Sequence, residues 1–196
     1  MQPLCKFAAL SGALALTAST AFGQVTTTFT GSIETTDSRF DLPVPPEGDP
    51  FGVPSAPIFS FLTDVPFDII PLTVVTTGDY DLSVSTDFLF GTFGYTPVFD
   101  VDDSLANYEF GIVSEGDGDF DGAVTGIPLV AGVDYFLVVS AASNPDDSLI
   151  TSPEDFLGDY TVTFDGPASL DGTIVPEPAT IGLLGVAGLG LLRRRK

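Results

Sequence analysis

The chain has 196 residues, 44% of them apolar and 17 of them Phe, a composition that can bury a hydrophobic core and argues against wholesale disorder. All 27 acidic residues lie between Gln24 and Pro178, where Arg39 is the sole cation, and the whole chain carries a formal charge of −21. Such a surface repels nucleic acid and anionic lipid, and with no histidine and its one cysteine at Cys5, the region after the leader lacks the groups for a Ser-His or Cys-His triad or an ordinary zinc site.

Residues 1–23 read as a secretory signal peptide. Lys6 supplies the positive start, Phe7 to Ala18 the apolar stretch, and Ala21-Phe22-Gly23 a small-x-small site before Gln24. This predicts an N-terminal signal helix and cleavage by signal peptidase between Gly23 and Gln24; the structural alternative is a buried N-terminal helix.

Residues 24–165 read as one acidic, all-β domain. Period-two alternation puts Tyr80, Leu82 and Val84 on one face of Asp79–Ser85, and Tyr160, Val162 and Phe164 on one face of Asp159–Asp165. Further strands are expected at Val25–Ile33, Ile58–Leu62, Ile69–Thr76, Tyr108–Ser114 and Tyr135–Ala141, separated by Gly, Pro, Asn and Asp. Phe40–Pro57, rich in proline, should be a long surface loop. Short strands with turn signals between them predict a two-sheet antiparallel sandwich of jelly-roll-like form.

Asp100 to Asp121 holds eight carboxylates. Within it Asp117, Asp119 and Asp121, followed by Gly122, match the first half of a calcium loop, in which alternate oxygens in a tight turn converge on a hard cation. The twelfth position is Pro128 where an EF-hand needs glutamate, so calcium would need further ligands, such as Asp100, Asp102 or Asp103; the plainer reading is a solvated acidic turn. Asp146 and Asp147 read as a turn. The aromatic run Phe88–Tyr95, with Phe93, Tyr95 and also Tyr108, is either core or an exposed platform for sugars.

Residues 166–174 read as a linker. After them come Val175, Pro176, Glu177, Pro178, Ala179 and Thr180, an apolar stretch to Leu192, and the basic stop Arg193, Arg194, Arg195 and Lys196. Thr180–Leu192 would make a short apolar helix of about 20 Å, less than a bilayer core of about 30 Å, with its basic end held on the cytoplasmic side. This 175–196 segment resembles the PEP-CTERM sorting signal of bacteria that carry an exosortase and secrete exopolysaccharide. The resemblance implies a transient membrane stop, transfer to an exosortase-type processing enzyme, removal of the tail near Glu177, and delivery to the cell surface or extracellular matrix. An ordinary C-terminal anchor is the alternative.

A second stretch, Leu129-Val-Ala131-Gly132-Val-Asp-Tyr135 with Gly158-Asp-Tyr160, resembles the closing strands of bacterial pre-peptidase C-terminal-type domains, which are secreted β-sandwiches. That likeness implies an accessory or binding role. Together these readings predict an exported, non-enzymatic surface or matrix protein with a structural or adhesive role, calcium as its candidate ion and exopolysaccharide as its candidate partner. The alternatives are a polysaccharide-binding module and, last, a hydrolase using paired carboxylates.

Overall fold

The computed structural model describes residues 23–57, 59–114, 120–145 and 156–172. Ten strands form in chain order: β1 (Val25–Ile33), β2 (Arg39–Phe40), β3 (Val65–Val74), β4 (Gly78–Thr86), β5 (Phe90–Tyr95), β6 (Tyr108–Val113), β7 (Asp121–Leu129), β8 (Asp134–Ala141), β9 (Gly158–Gly166) and β10 (Leu170–Gly172). A four-stranded sheet has the order β1-β9-β4-β7, and a second sheet the order β10-β3-β8-β5-β6, with β2 added against β3. All pairings are antiparallel.

The pairing is nested. β1 pairs with β9, β3 with β8, β4 with β7 and β5 with β6. Folding a long hairpin over on itself in this way makes a jelly roll. The expected sandwich is therefore present, with β2 and β10 as additions at its margin. The expected signal helix and apolar tail helix fall on residues outside the described ones.

Alternation explains the four-stranded sheet. Phe29 and Ile33 of β1, Tyr80, Leu82 and Val84 of β4, Val124, Ile127 and Leu129 of β7, and Tyr160, Val162 and Phe164 of β9 are all buried. In β1, β4 and β9 the outward positions between them are held by Thr, Ser and Asp. In β7 the alternation shifts at a bulge: Leu82 pairs with Val124 but Tyr80 with Ile127. The extra residue is accommodated by Gly126 at φ 71°, whose N–H donates to Asp81 Oδ1 at 2.9 Å.

Over most of its length the second sheet is buried on both faces. Tyr160 reaches across the sandwich to donate a hydrogen bond to Asp68 Oδ2 at 2.9 Å, which sets Asp68 on the inner face of β3. Phe67 and Ile69 therefore point outward, in register with Ser140 and Val138 of β8, and onward with Gly91 and Phe93 of β5. That outer face is not solvated. Phe40 packs on Phe67 with ring centroids 4.9 Å apart, and Phe99 lies 5.4 Å from Phe67 and 4.8 Å from Tyr95. Segments 40–62 and 96–107 thus lay a second, aromatic core over the sheet.

Three sequence expectations change. Ile58–Leu62 is no strand: Ser60–Leu62 is a single 3-10 turn, closed by the Leu62 N–H on the Phe59 carbonyl, and Ile58 lies outside the described residues. The proline-rich loop is a loop, but Phe40 and Leu42 at its start are buried. The segment read as the linker 166–174 contains β10, which pairs with β3 from Leu170↔Val74 to Gly172↔Leu72. Leu170 is buried and its N–H donates to Thr27 Oγ1 of β1 at 3.0 Å, so β10 closes one flank of the sandwich.

Candidate functional site

At the expected cleavage position, Gly23 and Gln24 are both exposed and precede the first strand residue, Val25. This leaves the bond between them outside the sheet. The sorting residues Val175, Pro176, Glu177 and Pro178 and the basic stop Arg193, Arg194, Arg195 and Lys196 lie outside the described residues, as do Asp146 and Asp147.

Of the calcium candidates, Asp117 and Asp119 also lie outside the described residues. Asp121 is the exposed first residue of β7, paired with Ser85 of β4. The supposed auxiliary ligands are elsewhere. Asp100, Asp102 and Asp103 sit in the β5–β6 connection, beyond Tyr95, whereas Gly122 beside Asp121 abuts the ring of Phe90 at the other end of β5. The length of β5, about 17 Å, separates the two ends. Their carboxylates also have local work: Asp100 Oδ1 accepts the Asp102 N–H at 3.0 Å and Asp103 Oδ1 the Leu105 N–H at 3.3 Å. These bonds are turn-forming. Among the described residues no three acidic side chains gather as a metal site would need.

The aromatic run is core. Phe88, Phe90, Phe93 and Tyr95 are each 0% exposed. Tyr108 is half-buried and its hydroxyl donates to the Pro50 carbonyl at 3.4 Å. Burial, reinforced by the neighbouring Tyr108, pushes the Tyr95 hydroxyl well above its ordinary range; burial first and Asp49 second do the same for Tyr108. The run shows no alternation because both faces of β5 are covered.

The outer face of the four-stranded sheet carries a feature the sequence reading missed. In register across the strands, Thr28, Thr163, Ser83 and Ala123 form one row, and Thr30, Thr161, Ser85 and Asp121 the next. A third row begins Thr26, Asp165, Asp81. Thr26 donates to Asp165 Oδ1 at 2.5 Å, and the Thr28 and Thr163 hydroxyls are 3.5 Å apart. In the first row side chains shrink from Thr through Ser to Ala toward β7, and a trough of about 470 Å³ is lined by Ser83, Ser85, Asp121, Ala123, Thr161 and Thr163. Around the edge of β7 it adjoins a cleft of about 590 Å³ between Ile112–Ser114 and the segment Pro45–Pro50, which holds Glu47 and Asp49; both cavities are lined by Asp121, Gly122 and Ala123. The available signal was the repeated Thr-x-Thr and Ser-x-Ser spacing in three separate strands, which only the register unites.

The family model of the PEP-CTERM protein-sorting motif matches residues 175–196. The chain carries that sorting motif at its C-terminus. The PEP-CTERM motif implies a protein that is exported, processed by an exosortase and sorted to the cell surface. No curated protein matches the chain. The stretches resembling pre-peptidase C-terminal-type domains fall on the β7–β8 turn and the start of β9, where Gly132 takes φ 79° between Val130 and Val133.

Proposed function

We propose that this PEP-CTERM protein is a non-enzymatic structural or adhesive component of the bacterial surface or extracellular matrix. The sorting motif at residues 175–196 carries the reading, because it attaches a surface address to an acidic jelly roll. Composition supports the absence of catalysis: between Gln24 and Pro178 there is no His, Cys or Lys. Signal peptidase removes residues 1–23, and the exosortase acts near Glu177 after a brief membrane stop.

The test is fractionation of an exosortase-bearing host expressing the full chain, its 175–196 deletion and Glu177→Ala. The intact chain should reach the surface or matrix, and both altered chains should be lost from it. An unchanged distribution of the deletion would overturn the sorting assignment. Incubation with matrix polysaccharide should release no reducing ends; steady release would make the protein a hydrolase.

Calcium enters this reading only through Asp117, Asp119 and Asp121. If they bind it, the unfolding temperature should rise with calcium by mass action and not with magnesium or sodium at matched ionic strength. An equal response to all three salts would reduce the effect to screening of the acidic surface.

A further inference from the structure

We infer that the outer face of the four-stranded sheet binds a linear polysaccharide whose sugars carry protonated amino groups. The inference rests on the surface placement proposed above and gives the adhesive role its ligand class.

The chemistry of the rows points to sugars. A hydroxyl donates one hydrogen bond and accepts two, as a sugar hydroxyl does, so an array of them can exchange bonds with a glycan in several settings. Here Thr161, Thr163, Ser83 and Ser85 surround one trough. Rows repeat about every 6.7 Å along the strands, and neighbours within a row stand about 4.8 Å apart. The passage from this trough past Asp121–Ala123 into the cleft beneath Pro45–Pro50 favours an extended chain over a single sugar.

Charge selects the kind of sugar. Asp79, Asp81, Asp121, Asp159 and Asp165 lie on the outward-facing positions of the same sheet, and Asp81 stands directly opposite Asp165. Like charges in register repel each other. Arg39, the sole cation between Gln24 and Pro178, is engaged elsewhere: it donates to the Thr35 and Asp64 carbonyls and to Asn144 Oδ1. A uronic-acid polymer would bring like charge to a face of five carboxylates, and a neutral glycan would bring them no counter-charge. Amino sugars supply both the hydroxyl partners and the positive charge.

Because an acidic protein attracts any polycation, the deciding experiment holds charge constant. Purified full-length protein is titrated with a labelled glucosamine hexamer in about 0.15 M salt, alongside the N-acetylated hexamer and a uronate hexamer. The glucosamine hexamer should bind, the other two should not, and binding should fade as pH rises and the amines lose their protons. Thr161→Val with Thr163→Val removes two hydroxyls without altering charge and should weaken binding about tenfold. Thr73→Val, on the exposed part of β3 in the other sheet, should leave it unchanged. Equal binding by the double variant would mean diffuse attraction and overturn the site; equal binding of the acetylated hexamer would overturn the role of charge. Either failure leaves the fractionation result standing, so the ligand and the surface placement are judged separately.

Discussion

The two sheets of this jelly roll solve the same problem in opposite ways. The four-stranded sheet buries one face and gives the other to water, so β4 and β9 alternate cleanly between aliphatic or aromatic residues and Thr, Ser or Asp. The other sheet buries both faces, one against its partner and one beneath Phe40, Leu42 and Phe99. Every residue of β5 is buried, and its sequence, Phe-Gly-Thr-Phe-Gly-Tyr, has no polar side. A covered face is spent on stability, whereas an open one can be spent on recognition.

The sharpest way to break this comparison is to remove an aromatic from the covered face. Phe93→Ala should cost about 3–5 kcal/mol in urea unfolding, because the ring is lost from a packed layer. Thr163→Val on the open face should stay within about 0.5 kcal/mol. Similar losses at the two sites would refute the second core.

Next in size is a buried side-chain bond between the sheets. Tyr160→Phe deletes the hydroxyl that donates to Asp68, and should cost about 1–3 kcal/mol because both groups are buried. Burial, then the charge and hydrogen bond of Asp68, then the charge of Asp37 hold the Tyr160 hydroxyl far above its ordinary range, so it stays a donor throughout neutral and moderately alkaline pH. A variant as stable as the parent would mean that this bond adds nothing to the packing between the sheets.

The same substitution should then act differently on the two sheets. Thr92, on the inner face of β5, is 0% exposed and its hydroxyl has no hydrogen-bond partner among the described residues. Thr92→Val should raise stability by about 1 kcal/mol, where Thr161→Val should do almost nothing. A destabilised Thr92→Val would point to a water serving that hydroxyl.

The smallest effect concerns pH. Partial burial on β6 raises the Glu109 carboxyl above its ordinary value. The folded state therefore takes up that proton before the unfolded chain does. Glu109 adds stability at acid pH, and this is lost as pH rises through its raised folded-state value. Glu109→Gln should flatten that part of the stability–pH curve; an unchanged curve would mean the carboxyl is as well solvated as in the unfolded chain.

Legibility in the sequence follows the same division. β1, β4 and β9 were readable because one side of each meets water and period two survives. β8 was readable as a run of Phe, Leu and Val between turn residues. β5 was not among the expected strands because a strand buried on both faces has no period. β7 was hidden by Pro128, by the bulge at Gly126 and by acidic residues at its start. The sorting tail was plain, since three unlike segments in fixed order seldom arise together. The hydroxyl rows were not legible because their hydroxyls lie on three strands far apart in the chain, β1, β4 and β9, and adjacency comes only from pairing.

The closure of one flank by β10 has a geometric outcome. Leu170 bonds to Thr27 and Gly172 lies against Phe29, so the two ends of the described domain leave from the β1 side, roughly 15 Å apart. Only Thr173 and Ile174 separate Gly172 from the sorting motif, a leash of at most about 11 Å. β7, with the trough beside it, is the opposite margin of the four-stranded sheet, about 14 Å across. The open margin of the sheet therefore lies on the side of the domain away from the point where the sorting motif begins.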